Sequence, residues 1–159
     1  MPNKPPAPLP ISTGYWLLKS EPDVFSWDML VAKATAGEPW TGVRNYLARN
    51  NMRAMRLGDL AFFYHSNIGK EIVGIARVSA LARPDPEDDS GVWECVDVIA
   101  VRALPRPVTL ADVKGNAKLG AMSLVTSMRL SVQPVTLAEW REVCRMGGLS
   151  AAETKALAS

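Results

Sequence analysis

Three stretches of this chain, Leu60–His65, Ile72–Ala80 and Val92–Val101, carry apolar residues on both of their alternating faces. An extended strand turns successive side chains to opposite sides. A strand washed on one side would therefore alternate apolar with polar residues, and these do not. Each needs cover on both faces, as in a closed barrel or a sheet flanked by helices. A turn around Asn67–Lys70 joins the first two into a hairpin. Shorter strands are predicted at Tyr15–Lys19 and Arg129–Gln133, with Pro105 and Pro107 ending the long strands before them.

Helical signals interrupt these strands. Ser26 is an N-cap for a helix through about Lys33. Val43–Arg56 is the clearest helix, with Val43, Tyr46, Leu47, Asn50, Ala54 and Leu57 on one face and Arg49, Arg53 and Arg56 on another. Thr109–Asp112 and Thr136–Glu139 open two more, which stop at Gly115 and Gly147-Gly148. There is no regular βαβ alternation, so the pattern predicts an α+β domain built on a small barrel.

With 159 residues the chain is the size of one domain and needs no metal or disulfide to stabilise its core. Residues 1–13 hold Pro2, Pro5, Pro6, Pro8 and Pro10 and read as a disordered polyproline-type arm. The folded domain is expected over 14–148. Residues 149–159 form a tail in which Ser150–Glu153 has a capping-box pattern for a short helix. No apolar run is long enough to span a membrane, and no secretory signal is expected.

The chain has two cysteines, Cys95 and Cys144, and one histidine, His65, in no zinc-site spacing. No metal, cofactor or catalytic residue is expected, and the cysteines are assigned to packing as reduced thiols. Phosphate-loop, dinucleotide and nucleophile-elbow motifs are absent. Net charge is +2, but no acidic residue falls between Glu38 and Asp59, where Arg44, Arg49, Arg53 and Arg56 lie. The helix arginines are either a phosphate-tracking stripe or a solvated face, with the unbroken sign favouring the stripe. Asp85, Glu87, Asp88 and Asp89 read as a solvated loop.

Four polar islands punctuate the apolar elements: Lys19–Pro22, Trp40–Tyr46, Tyr64–Asn67 and Ser127–Pro134. Element ends are where binding sites are built, so the four are expected to converge on one mouth. YWLLKSEP, W-TGVRNYLARNN-RAMRLGDLAFFYHSN, IVGIARV and MRLSVQPV together resemble the EVE domain family over residues 14–148. That resemblance implies a PUA-like mixed β-barrel with flanking helices, similar to YTH and ASCH domains. It also implies binding rather than catalysis: a reader of modified bases in DNA or RNA.

A flipped base needs a flat wall on each face and polar groups at its edge. Trp27, Trp40, Tyr46 and Tyr64 are the candidate walls, with core packing as the alternative for each. Ser20, Asn45, Ser66 and Ser131 carry short donors and acceptors that can read a base edge, or else serve as caps and turns. Lys19, Arg44 and Arg129 are candidate phosphate contacts, or surface ion pairs. His65 is either a donor to base or phosphate or a hydrogen-bonded structural residue. The expected function is a non-enzymatic module that reads a modified nucleobase, with nucleic acid as partner. It would be cytoplasmic in a bacterium and nuclear in a eukaryote. The alternative is a hydrolase or transferase acting on a nucleotide through His65 and Ser20 or Ser66. Glu21 is the only carboxylate within a motif, and nothing orients it towards His65.

Overall fold

The computed structural model describes residues 14–158, so the proline arm 1–13 and Ser159 lie outside the described residues. Six strands, β1 (Tyr15–Ser20), β2 (Glu38–Pro39), β3 (Leu60–His65), β4 (Glu71–Pro84), β5 (Glu94–Thr109) and β6 (Val132–Pro134), form one sheet in the order β2-β5-β4-β3-β1-β6. All neighbours are antiparallel except β1 and β3, which run parallel from Tyr15 opposite Leu60 to Ser20 opposite His65. Helices α1 (Trp27–Lys33), α2 (Tyr46–Ala54), α3 (Leu110–Lys114), α4 (Ser123–Thr126), α5 (Leu137–Met146) and α6 (Ala151–Leu157) flank it. The mixed sheet with flanking helices is the α+β architecture that the strand and cap signals predict. None of the helices is long and apolar enough to cross a membrane.

The double-sided apolar strands have cover on both faces. Trp16, Leu18 and Phe63 enter one core with α1 and α2, while Leu17, Phe62 and Tyr64 enter the other with α3 to α6. Leu17 and Leu18 are both fully buried, each contributing about 1.5–3 kcal/mol of apolar burial on opposite sides of β1. Trp140 of α5 stacks on Phe62 at 3.9 Å between ring centroids. Helix α2 touches β6 at one sheet edge and β4 and β5 beyond the middle, and Asn51 donates to the Val132 carbonyl at 2.8 Å. The helix thus links the edge strand β6 to β4 and β5 on the far side of the sheet.

Three sequence expectations change. The last strand, expected over Arg129–Gln133, forms only at Val132–Pro134, because the chain turns before it, with the Leu130 N–H donating to the Ser127 carbonyl at 3.0 Å. Strand β5 does not end before Pro105 and Pro107 but runs on to Thr109. Gly74 pairs with Ala103 and Ile72 with Val108, so both prolines fall in a bulge that needs no ladder N–H from them. The apolar face of α2 also differs. Asn45 caps the helix by accepting from the Ala48 N–H at 2.9 Å, and Ala48, Met52 and Ala54 are its buried residues. Tyr46, Leu47 and Leu57, expected on the core face, are 62%, 57% and 62% exposed. Small and flexible side chains let α2 lie close to the sheet and turn its larger apolar groups outward.

Candidate functional site

Three of the four polar islands, Lys19–Pro22, Trp40–Tyr46 and Ser127–Pro134, contribute residues to a cleft of about 370 Å³. It forms where the end of β1, the loop into α1, β2, the segment entering α2 and the residue before β6 meet. Its lining includes Ser20, Phe25, Trp40, Thr41, Arg44 and Ser131, with Lys19, Glu21, Val24, Glu38, Gly42 and Val43. Strand β1 ends at Ser20 because Pro22 supplies no ladder N–H. The chain then turns, with the Phe25 N–H donating to the Glu21 carbonyl at 2.9 Å. Phe25 precedes the N-cap Ser26 and packs edge-on against Trp40 (6.1 Å, 85°), which packs edge-on against Phe63 (5.6 Å, 84°). The cleft therefore has an aromatic base anchored in the core.

The Ser20 hydroxyl donates its hydrogen to the Phe25 carbonyl at 2.5 Å. Its remaining capacity is as an acceptor. Ser131 joins the rim through its carbonyl, which accepts the Lys19 N–H at 3.0 Å. Lys19 Nζ itself donates to the Met128 carbonyl and lies 5.8 Å from the Tyr64 ring centroid. Partial burial pulls the Lys19 pKa down from its ordinary value.

The wall from Gly42 to Arg44 is held by a residue that the sequence placed in a solvated loop. Asp85 has a fully buried carboxylate. It accepts from the Gly42 N–H at 2.9 Å, the Arg44 guanidinium at 3.0 Å and the Glu87 N–H at 2.7 Å. Burial pushes its pKa up, but the Gly42, Glu87 and Arg44 hydrogen bonds together leave it below the ordinary carboxylate value. Asp88 folds the same loop, accepting from the N–H groups of Ser90 and Trp93. The Trp93 N–H, with the Ser90 hydroxyl, lowers the Asp88 carboxyl to about 2. The acidic cluster reads as surface because its charge is visible in sequence, whereas Gly42 and Arg44, the donors that bury Asp85, lie 43 and 41 residues upstream.

Of the predicted site residues, Lys19, Ser20, Trp40, Arg44 and Ser131 are brought together. The others stand elsewhere, so the expected convergence of Ser20, Asn45 and Ser66 in one cavity is met by Ser20 alone. Asn45 has its side-chain oxygen committed to the α2 cap. Ser66 sits in the β3–β4 turn, where its N–H donates to the Ser20 carbonyl at 2.9 Å. Trp27 is 7% exposed and lies on Gly74, where an added Cβ would be 2.6 Å from the indole. Tyr64 is buried on the opposite face of the sheet, and burial raises its pKa. His65 Nε2 accepts the Trp27 N–H at 3.0 Å, which places the ring in its neutral form. Burial lowers the His65 pKa, with Glu71 and Asp28 opposing it. Because the Ser20 hydroxyl donates its hydrogen bond to the Phe25 carbonyl and His65 Nε2 accepts from Trp27, the Ser20–His65 pairing of a hydrolase is not formed. Arg129 is exposed.

Tyr46 lies outside the cleft with a partner that the sequence reading passed over. Its ring packs against Trp93 at 4.9 Å with the planes tilted by 35°, and the Arg49 guanidinium lies 5.0 Å from the Tyr46 centroid. Arg53 is ion-paired with Glu94 and Arg44 with Asp85. Arg44 and Arg53 are thus neutralised by carboxylates, whereas Arg49 reaches only neutral acceptors and aromatic rings. Phe25, Thr41, Asp85 and Trp93 are the contributors that sequence reasoning missed. Phe25 had a readable signal, an apolar residue just before a helix cap.

A second cavity, about 660 Å³, lies against the other core between Tyr15, α5 and α6. It is larger, but it holds none of the predicted site residues and its floor is apolar, with Leu137, Trp140 and Leu149. The smaller cleft is the site with converging polar chemistry.

Residues 14–146 match the EVE domain model. Protein Atu2648 of Agrobacterium tumefaciens is 62% identical with a TM-score of 0.84, covering 87% of this chain and 96% of that one. Human THYN1 protein, solved in complex with 5-methylcytosine-containing DNA, is 36% identical with a TM-score of 0.78, covering 86% and 98%. Mouse thymocyte nuclear protein 1 is 38% identical over 76% of this chain and 68% of its own length. An ASCH protein of Zymomonas mobilis, 11% identical with a TM-score of 0.53 over 85% and 96% of the two chains, shares the fold alone. The match along nearly the whole folded part, with the six-stranded mixed sheet beneath it, means that this chain belongs to the EVE domain family and has its PUA-like fold.

Proposed function

We propose that the chain is a non-enzymatic reader that inserts a modified nucleobase of DNA or RNA into the cleft beside Ser20. The observation that carries the reading is the pairing of an aromatic base, Phe25 and Trp40, with a serine whose hydrogen is already committed. A nucleobase is flat, with donors and acceptors on its rim, and this cleft presents aromatic surface and an oriented acceptor. An acceptor suits the exocyclic amine of cytosine. Val24, Val43 and Phe25 supply apolar surface for a methyl group. The human relative solved with 5-methylcytosine DNA makes that base the first to test. Arg44 and Arg129 are the flanking phosphate contacts in this reading. Such a reader works where its nucleic acid is, in the cytoplasm of a bacterium or the nucleus of a eukaryote.

The test is a titration against matched oligonucleotides, DNA and RNA, that differ by one methyl group. Wild type should prefer the modified strand. Val43→Ala should narrow that preference, because Val43 supplies surface for the methyl, whereas Ser20→Ala should weaken both strands alike, because the amine it accepts is common to both. Trp40→Phe should weaken both strands alike. Equal affinity of the wild type for both members of every pair would sink the reading.

A further inference from the structure

Beside the cleft is an aromatic and cationic surface that the base-reading proposal leaves without a role. The Tyr46 ring, 62% exposed at the first turn of α2, is backed by Trp93 at 4.9 Å. The Arg49 guanidinium lies 5.0 Å from the Tyr46 centroid and 5.9 Å from that of Trp93. Arg44, a wall of the cleft, lies 5.8 Å from Trp93, so cleft and surface are joined by one run of contacts.

The surface is held in place. The Trp93 carbonyl accepts the Asp85 N–H at 2.9 Å and its own N–H reaches Asp88, so the loop that orders the cleft wall also presents Trp93. Arg49 donates to the Val92 carbonyl at 3.0 Å and to Asn50 at 3.1 Å. Those acceptors are neutral, and no carboxylate pairs with Arg49 among the described residues, whereas Arg44 and Arg53 are paired. A large exposed ring on a surface helix costs solubility and contributes little burial, and here it is backed by a second ring and flanked by an uncompensated cation. That combination suits an anionic, flat ligand: aromatic rings take base faces and guanidinium takes phosphate.

We propose that Tyr46, Trp93 and Arg49 form a second nucleotide subsite, stacking the base next to the one held in the cleft and contacting its phosphate. The subsite rests on the base-reading proposal for its place in the complex. It supplies affinity that does not depend on the modification, since every base has a π-face.

The experiment titrates wild type, Tyr46→Ala and Tyr46→Phe against modified and unmodified oligonucleotides, each with intact or abasic neighbours on both sides of the target. Tyr46 is exposed at the start of its helix, so the alanine variant should stay folded. A circular dichroism melt checks this, and Tyr46→Phe keeps the ring. Tyr46→Ala should lose about tenfold affinity for modified and unmodified strands alike, leaving their ratio unchanged, and Tyr46→Phe should keep it. Abasic neighbours should weaken wild type by a similar factor and Tyr46→Ala hardly at all. The subsite is overturned if Tyr46→Ala binds intact strands as wild type does, or loses as much on abasic strands as on intact ones. A wild type without preference for the modified strand would remove the base-reading proposal instead. In that case the loss confined to intact neighbours would still identify the subsite.

Discussion

Asp85→Ala should cost the domain about 3.5 kcal/mol, although the residue sits in an acid-rich segment that resembles surface. The carboxylate holds the Gly42 and Glu87 N–H groups at 2.9 and 2.7 Å and Arg44 at 3.0 Å. Removing it strands two backbone donors at about 1.5 kcal/mol each. Arg44 is 38% exposed and can turn to water, so its ion pair adds only about 0.5 kcal/mol. With a urea slope of about 2 kcal/mol per molar, the midpoint should fall by roughly 1.7 M. The melting temperature should fall by about 10 °C. Asp85→Asn keeps one carbonyl oxygen and should lose about half as much. The Asp85 pKa is depressed in the folded state, so its stabilisation is complete above the unfolded value and is lost as pH falls through the folded one. The gap between wild type and Asp85→Ala should therefore be constant near neutrality and narrow below about pH 4. A midpoint within about 0.3 M of wild type at pH 7 would show that the buried carboxylate does not hold the cleft wall.

Three further outcomes are expected. Gly74→Ala puts a Cβ 2.6 Å from the Trp27 indole, and the overpacking should cost about 1–3 kcal/mol in chemical denaturation; a neutral variant would mean that the indole shifts freely. Cys144 is buried and its thiol is pushed up to about 12, so a thiol reagent at pH 8 should label it only at the rate of unfolding, read by mass spectrometry against denaturant. If the chain binds nucleic acid as proposed, Arg49→Gln should flatten the dependence of log affinity on log salt by about 0.7–0.9, while Arg53→Gln, already neutralised by Glu94, should change it less.

The features that were legible in sequence are those decided within one turn of chain. Thr109, Thr136 and Ser150 each exchange hydrogen bonds with a carboxylate three residues on, and all three helices begin where those pairs say. Strand β3 has the bounds its six residues announce, because apolar groups on both faces leave it only one kind of environment. The face of α2 was not legible. Periodicity weights Tyr46 and Leu47 above Ala48, and only the closeness of the sheet makes the smaller residue the buried one. The path of β5 through Pro105 and Pro107 depends on a bulge opposite Val73, which a single strand's sequence does not encode. At the cleft, Ser20, Trp40 and Arg44 stood at element ends and could be picked out locally. Asp85 and Trp93 could not, because their roles come from contacts with residues more than 40 positions away.

The place of β1 in the sheet has a consequence for how the protein is made. It pairs with β3 and with β6, and the cleft takes Ser20 from one end of the domain and Ser131 from the other. The β3–β4–β5 meander can close through nearby contacts while the chain is still emerging from a ribosome. Strand β1 can join β3 early, but its other edge stays open until β6 has been synthesised. If the cleft binds nucleic acid as proposed, capture would therefore mark completed synthesis of the domain. A nucleic acid held in the cleft would in turn stabilise the pairing that forms last, drawing incompletely assembled molecules towards the finished fold.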